Sequence, residues 1–175
     1  MRLPKSAHAE LPWRIHELAP DFGIEDVWAL PTPGGADEFP SLLSQLELCD
    51  FPDRDAPFLV RFLWAARWKI GGVLGWDREE KGPAMAGVPF EPLYATDKEF
   101  VAEMANQTVH TLMHMGWVPD GKGGYRGQMT ALVKPNGLLG KAYMTAVKPF
   151  RYVLVYPALM RNMESNWRVR AQAGP

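Results

Sequence analysis

Two histidines and one glutamate in the middle of the chain have the chemistry for proton transfer. His110 and His114 lie in a stretch of alternating apolar and polar residues, and Glu103 is the one acid in the apolar stretch before it. Imidazole and carboxylate groups exchange protons with bound molecules near neutral pH. We take these three residues as candidate catalytic residues. The alternative is that each is hydrogen-bonded within a sheet or exposed to solvent.

The spacing of the histidines argues against a metal site. On a strand, four residues span roughly 13 Å at ~3.3 Å per residue, so His110 and His114 lie on one face but too far apart to share an ion. The sequence around them offers no acidic third ligand of the kind that zinc sites use. We therefore predict no metal ion and no cofactor.

A polar ladder on the following strand is a candidate binding surface. Arg126, Gln128 and Thr130 alternate along it and are suited to bind a carboxylate, phosphate or carbonyl group beside the two histidines. This requires that their face of the sheet line a cavity. In the alternative, the ladder faces solvent and the opposite set faces a helix, which hydrophobicity favours: Tyr125, Met129, Ala131 and Val133.

Aromatic residues are unusually frequent for a chain of 175 residues. Such side chains pack in cores, and they also form the walls of pockets for flat, apolar ligands. We predict that several of them line a ligand pocket together with Arg126 and Gln128: Trp64, Trp68, Tyr94, Trp117, Tyr125 and Tyr143.

Several common enzyme classes are excluded by the absence of their motifs. The chain has no GxSxG, P-loop, GxGxxG or HExxH sequence. Its single cysteine, Cys49, cannot form an intramolecular disulfide, and the neighbouring Asp50 disfavours a reactive thiolate. No stretch has the length and apolar character of a signal peptide or a membrane span. We expect a cytoplasmic protein without a nucleic-acid partner, and the sequence leaves its oligomeric state open.

Hydrophobic periodicity divides the chain into one domain with flanking segments. Residues 1–20 contain three prolines and are predicted to be an extended lead-in without a core, residues 21–170 form one domain, and residues 171–175 are a tail. The first elements are expected in this order: an edge strand over 21–30, a helix over 36–48 and a second helix from Asp55 onward.

The later elements indicate an α+β fold. Alternation with period two predicts antiparallel strands from Leu93 to Lys134, with a hairpin turn over 120–124. A long C-terminal helix is expected from Leu138 to Arg168, and Pro149 and Pro157 should kink or break it. Because a sheet that grips a long helix often encloses a pocket, we expect an internal cavity between the two layers.

Four segments carry a resemblance to a known family. They are RWKIGGVLGWD (67–77), ANQTVHTLMHMGWV (105–118), YRGQMTALVKPNGLLGKAYM (125–144) and KPFRYVLVYPALM (148–160). Together they resemble a bacterial family of unknown function, domain-of-unknown-function family 2867, over about residues 22–168. The C-terminal part is also similar to the helix-grip superfamily, which includes START lipid-transfer domains, polyketide cyclases and birch-pollen-allergen-like proteins. That similarity implies a curved antiparallel sheet around a C-terminal helix with a hydrophobic cavity, and it implies no particular reaction.

The net charge of −1 hides an uneven distribution. Residues 1–121 hold 10 Lys/Arg and 19 Asp/Glu, whereas residues 122–175 hold 9 Lys/Arg and one acid, Glu164. The basic part either docks on the acidic part within the molecule, which we favour, or faces an anionic partner such as a membrane surface.

Three functions remain open. The first, which we favour, is binding of an apolar or amphipathic small molecule, lipid or polyketide-like, in a cavity between the sheet and the C-terminal helix. The second is a cyclase or isomerase that moves protons with His110, His114, Glu103 or Arg126. The third is a peripheral-membrane or protein-docking module that acts through the basic C-terminal helix.

Overall fold

The computed structural model describes residues 1–48, 90–105 and 109–173, and within them the fold is α+β, as the sequence predicts. A π-helical turn, Arg151–Val155, joins the last two helices. The helices and strands, in chain order, are β1 (Arg2–Leu3), α1 (Ser6–Ala9), α2 (Ile15–Leu18), β2 (Gly23–Ala29), α3 (Phe39–Leu48), β3 (Glu91–Ala95), β4 (Glu99–Ala105), β5 (Val109–Pro119), β6 (Tyr125–Pro135), α4 (Gly137–Phe150) and α5 (Tyr156–Ala173).

The described strands form one antiparallel sheet in the order β1-β2-β6-β5-β4-β3. Its centre is the long hairpin of β5 and β6. At the turn, Asp120 Oδ1 accepts the backbone N–H groups of Lys122 at 2.7 Å and Gly124 at 3.0 Å. Gly121 and Gly123 have φ angles of 78° and 92°, which glycine adopts without strain. The predicted hairpin is therefore confirmed.

The first predicted strand is not at the edge of the sheet. β2 pairs with β6 along most of its length, and the two-residue β1 pairs with Val27 and Trp28 on its other side. The edge assignment is wrong because a two-residue strand leaves no periodic signal in the sequence. The second predicted helix, from Asp55, lies outside the described residues.

The C-terminal helix continues through its prolines. Pro149 lies inside α4 and Pro157 in the first turn of α5, and the π-helical turn lies between them. The N–H of Tyr156 bonds to the carbonyl oxygen of Arg151, which is the i→i+5 bond of a π-helix. The prolines lack the N–H groups that regular α-helical bonding needs. Between the two prolines the helix thus changes from α to π and back to α, and it does not break.

One face of the sheet packs against α3 and the C-terminal helix, and we call it the helix face. Large apolar side chains from both layers form its core. The buried members of this core are Leu30, Phe39, Leu42, Phe100, Ala102, Met115, Trp117, Met129, Tyr156, Met163 and Trp167.

The opposite face, which we call the N-terminal face, is covered by the part of residues 1–22 that follows β1. Ile15, 1% exposed, packs with Ala19 on the sheet residues Val101, Leu112 and Leu132. The expectation that residues 1–20 lack a core is therefore wrong. Helices α1 and α2 have four residues each, which is too short for hydrophobic periodicity to appear.

The alternation along β6 places its two sets of side chains on different faces. Met129 belongs to the core of the helix face and Tyr125 packs against that core, as hydrophobicity favours. Gln128 and Thr130 point to the N-terminal face, where they are buried beneath residues 1–22. The ladder thus faces away from the helix, but the expectation that this would expose it to solvent is wrong for these two residues.

Candidate functional site

Two carboxylate–imidazole pairs lie side by side on the N-terminal face. β4 carries Glu99 and Glu103, and the neighbouring β5 carries His110 and His114. Glu99 lies opposite Gly116, two residues after His114, and Glu103 lies opposite Leu112, two residues after His110. Each glutamate therefore meets its histidine diagonally across the two strands. We call Glu99–His114 the buried pair and Glu103–His110 the open pair. Sequence reasoning missed Glu99, although its spacing of four from Glu103 matches the spacing of the histidines.

The buried pair uses all of its reactive atoms within the protein. His114 Nε2–H donates to Glu99 Oε2 at 3.0 Å, and the two side chains are 0% and 8% exposed. The backbone N–H of Arg14 donates to Glu99 Oε1 at 3.2 Å. With its proton on Nε2, His114 has a lone pair on Nδ1, which accepts from His8 Nε2 at 3.3 Å.

The electrostatics of the buried pair favour a carboxylate with neutral imidazoles. Burial would raise the pKa of Glu99, but hydrogen bonds from His114 and Arg14 hold it below its ordinary value. Burial lowers the pKa of His114 against the opposing attraction of Glu99. Burial, together with the neighbouring His114 and His16, lowers the pKa of His8 to about 3. These imidazoles therefore stay unprotonated at neutral pH.

Trp13 lies over the buried pair, and His16 lies over the adjoining His8. The centre of the Trp13 ring system lies 4.8 Å from the His114 ring, and the His16 ring lies 4.8 Å from the His8 ring. Gly116 makes room for the indole, because a Cβ at this position would lie 2.7 Å from two ring carbons of Trp13. The missing side chain at position 116 therefore lets the N-terminal segment close over the pair.

The imidazoles around the buried pair do not form a metal centre. His8 and His114 direct nitrogens at each other, and His114 directs its second nitrogen at Glu99. Within residues 1–48, 90–105 and 109–173, no group of three or more His, Cys, Asp or Glu side chains is placed to hold a metal ion.

The open pair reaches solvent. His110 Nε2 and Glu103 Oε1 form a hydrogen bond, and their side chains are 31% and 32% exposed. The ring of Phe22 meets the imidazole edge-on, with 4.7 Å between ring centres. Because His110 Nε2–H donates to the Glu103 carboxylate, the lone pair of the imidazole lies on Nδ1. The open pair thus has the arrangement of a general base that a ligand can approach.

A second ion pair adjoins the open pair. Lys134 lies directly opposite His110 in the register of β5 and β6, and its Nζ is 2.5 Å from Asp21 Oδ2. The hydrogen bond from Lys134 holds the pKa of the Asp21 carboxyl below its ordinary value. The open pair, Lys134, Asp21 and Phe22 together combine a base, a cation and an apolar surface.

Arg126 and Gln128 of the predicted polar ladder do not join the open pair. Gln128 Nε2–H donates to the carbonyl oxygen of Ala7 at 3.2 Å, beneath the N-terminal segment. Arg126 lies opposite Val118 near the hairpin turn, eight residues along β6 from Lys134, or roughly 26 Å. Arg126 and the open pair are therefore too far apart to act on one small ligand.

The predicted aromatic residues divide between the two faces. Trp117 lies in the core of the helix face, where its Nε1–H donates to the carbonyl oxygen of Gly35 at 2.9 Å, and Tyr125 packs beside that core. Tyr94 packs on the N-terminal face. The aromatic residues of the helix face therefore lie across the sheet from His110. The structure does not describe the side chains of Trp64, Trp68 and Tyr143.

The described layers of the helix face pack directly against each other. Met115, Trp117 and Met129 are all buried at this interface. A shallow groove of about 250 Å³ lies on α5 and is lined by Arg161, Glu164, Ser165, Arg168, Val169 and Gln172. The cavity between sheet and helix stays a prediction, because Trp64 and Trp68, which we expect to line it, lie outside the described residues.

A carboxylate on the helix face anchors the π-helical turn. Asp26, 2% exposed, accepts hydrogen bonds from the hydroxyls of Tyr152 and Tyr156 and from the guanidinium of Arg151, which lies 2.5 Å away. Burial and the charge of Asp26 raise the pKa of Tyr152 to about 12, so this hydroxyl keeps its proton. In an α-helix, residues five apart point about 140° away from each other, whereas an i→i+5 turn stacks them. The turn thus lets Arg151 and Tyr156 reach one carboxylate, a cluster that sequence reasoning missed.

Ion pairs join the two unevenly charged parts of the chain, which supports the favoured interpretation that the basic part docks on the acidic part. No helix among the described residues is long and apolar enough to cross a membrane. A docking role of the C-terminal helix stays a prediction. Among the described residues, four ion pairs join the two parts: Lys134–Asp21, Lys148–Glu25, Arg151–Asp26 and Arg170–Glu38.

The chain belongs to the family described as "Protein of unknown function (DUF2867)", whose profile matches residues 18–158. The resemblance to this family is therefore confirmed, while a bacterial origin and the similarity to the helix-grip superfamily stay predictions. No curated protein and no solved structure gives a significant match. The matched span includes every residue of the open pair and its surroundings, whereas His8, Trp13 and His16 precede it.

Proposed function

We propose that the protein transfers protons on a small amphipathic molecule, with Glu103 and His110 as its acid–base group. The observation that carries this proposal is the hydrogen bond between Glu103 Oε1 and His110 Nε2 in two side chains that are each about one-third exposed. The carboxylate orients the ring and stabilises the imidazolium that forms when Nδ1 takes up a proton. This is the cyclase or isomerase hypothesis, narrowed to one pair.

The reaction that suits this geometry moves a proton next to a carbonyl group. A C–H bond of the substrate breaks, its proton passes to His110 Nδ1, and its electron pair moves into an enolate. The same nitrogen then returns the proton to the enolate oxygen, which gives the enol and completes a keto–enol isomerisation. The substrate is neither oxidised nor reduced, so the step needs no further reactant.

The buried pair is not assigned this role, although it consists of the same two residue types. His114 Nδ1 already accepts a hydrogen bond from His8, and the pair lies beneath the N-terminal segment. A substrate could reach it only after residues 1–22 had moved away.

Deuterium exchange tests the proposal. Proton NMR in D2O follows the loss of the benzylic C–H signals of phenylacetone and phenylpyruvate. We expect the protein to accelerate exchange of at least one probe, His110→Gln to lower that rate about 100-fold and Glu103→Gln to lower it at least about tenfold. Exchange at the buffer rate for both probes, or an unchanged rate in His110→Gln, would overturn the proposal.

A matched control removes a different imidazole. His16 is partly exposed, and its Nε2 contacts the carbonyl oxygen of His8 and not a carboxylate, so His16→Gln should keep the exchange rate. Free imidazole added to His110→Ala should restore part of the rate. A purely structural role for His110 would give no such rescue.

A further inference from the structure

Lys134 places a positive charge beside the open pair. Because β5 lies between β4 and β6 in the sheet, Glu103 and Lys134 flank His110 on opposite sides. Side chains that lie directly opposite each other on one face of an antiparallel pair have Cβ atoms about 5 Å apart. One neighbour of His110 thus orients the imidazole, and the other supplies a positive charge.

The counter-ion of Lys134 is replaceable. Lys134 Nζ contacts Asp21 Oδ2 at 2.5 Å, and the two side chains are 50% and 55% exposed. An ion pair this exposed is screened by water and salt and contributes little to stability. A carboxylate supplied by a ligand would make the same contact at little cost to the fold.

Phe22, the residue after Asp21, supplies an apolar surface next to this cation. Its ring meets the His110 imidazole edge-on at 4.7 Å and packs against the core of the N-terminal face. The ring is therefore held in place independently of the Asp21 side chain. A ligand with a negative end and an apolar body would find both partners within one short span.

From this arrangement we infer that the substrate is a carboxylate anion with an aryl or alkyl group, which replaces Asp21 on Lys134 and packs against Phe22. The inference rests on the proposed proton transfer and adds the class of substrate. A keto acid meets both requirements, because its carboxylate binds the cation and its carbonyl group activates a nearby C–H bond for His110.

Binding is measured separately from turnover with phenylacetate and its neutral isostere phenylacetamide. NMR titrations follow the imidazole signals of His110. We expect a Kd for phenylacetate about tenfold lower than for phenylacetamide, because only the anion pairs with Lys134. Lys134→Gln should abolish this preference, and Asp21→Asn should strengthen phenylacetate binding about twofold, because the competing carboxylate is gone.

The controls separate the two proposals. Lys141 is an exposed lysine on α4 and is not part of the open pair or its surroundings, so Lys141→Gln should keep the preference for phenylacetate. Equal affinities for the two compounds, or a preference that survives Lys134→Gln, would overturn the carboxylate site. Carboxylate preference without deuterium exchange would overturn the proton transfer alone, and exchange of phenylacetone and phenylpyruvate with equal kcat/KM would overturn the substrate class alone.

Discussion

The buried pair and the open pair share their strands and their spacing but differ in what surrounds them. In both, a glutamate of β4 holds Nε2 of a histidine of β5. In the buried pair, His8 occupies the second ring nitrogen and Trp13 packs over the ring. In the open pair, Phe22 stands at the edge of the ring and Lys134 lies across the strand. The surroundings, and not the pair itself, decide between a structural and a chemical role.

Loss of the buried imidazole should have the largest effect on stability. His114→Ala leaves the Glu99 carboxylate, whose side chain is only 8% exposed, without its imidazole partner. We expect the free energy of unfolding to fall by about 3 kcal/mol, measured by urea titration with tryptophan fluorescence. A loss under about 1 kcal/mol would show that solvent reaches this pair and would remove the contrast with the open pair.

Acid should have the second-largest effect on stability, because it protonates His8. The pKa of His8 is about 3 in the fold and 6.5 ordinarily, so the unfolded chain binds the extra proton between these values. The stability that depends on neutral His8 is complete above pH 6.5 and is lost as the pH falls towards 3. At about 1.4 kcal/mol per pH unit, the loss at pH 5 is about 2 kcal/mol.

Urea titrations at pH 7.5, 6 and 5 measure this effect, and His8→Gln separates its source. Between pH 6.5 and 5, the free energy of unfolding of the variant should fall less steeply as the pH is lowered. The difference in slope should correspond to about one proton fewer bound on unfolding. An unchanged slope would assign the acid sensitivity to groups other than His8.

A methyl group at position 116 should displace the N-terminal segment from the buried pair, with a smaller loss of stability. Gly116→Ala would place a Cβ 2.7 Å from the Trp13 ring, and we expect a loss of about 1–2 kcal/mol from the displaced indole. Hydrogen exchange of residues 1–22 should become faster. Gly23→Ala is the control, because its Cβ would meet the nearest atom, the Val133 carbonyl oxygen, at an ordinary 3.6 Å.

The open imidazole should contribute least to stability. His110→Ala removes a side chain that is about one-third exposed, so we expect the free energy of unfolding to change by less than about 1 kcal/mol. A loss as large as that of His114→Ala would assign the open pair a structural role. The comparison therefore rests on measuring both variants under the same conditions.

The parts of the fold that a short stretch of chain determines could be predicted. The turn at Asp120 needs only an acid and glycines at fixed positions, and the faces of β6 follow from alternation. The face of His110 and His114 likewise follows from their spacing of four. These features depend on local conformation, which one segment of sequence encodes.

The parts that depend on distant contacts could not be predicted. That His8 and Trp13 lie over His114 requires the N-terminal segment to fold back across the sheet, more than 100 positions away in the sequence. The same limit applies to Asp26, whose partners lie on the C-terminal helix. Pairing of each glutamate with its histidine needed the register of β4 and β5, which alternation alone does not specify.

The π-helical turn has a consequence for how the chain tolerates insertions and deletions. A π-helical turn accommodates one residue more than the α-helical turn that would replace it, while the helices on either side keep their orientation. Deleting one residue within Arg151–Val155 should therefore remove the π-helical turn and leave Met163 and Trp167 against the sheet. The loss would be confined to the bonds on Asp26. Related chains that are one residue shorter at this turn should therefore anchor the helix by contacts other than those on Asp26.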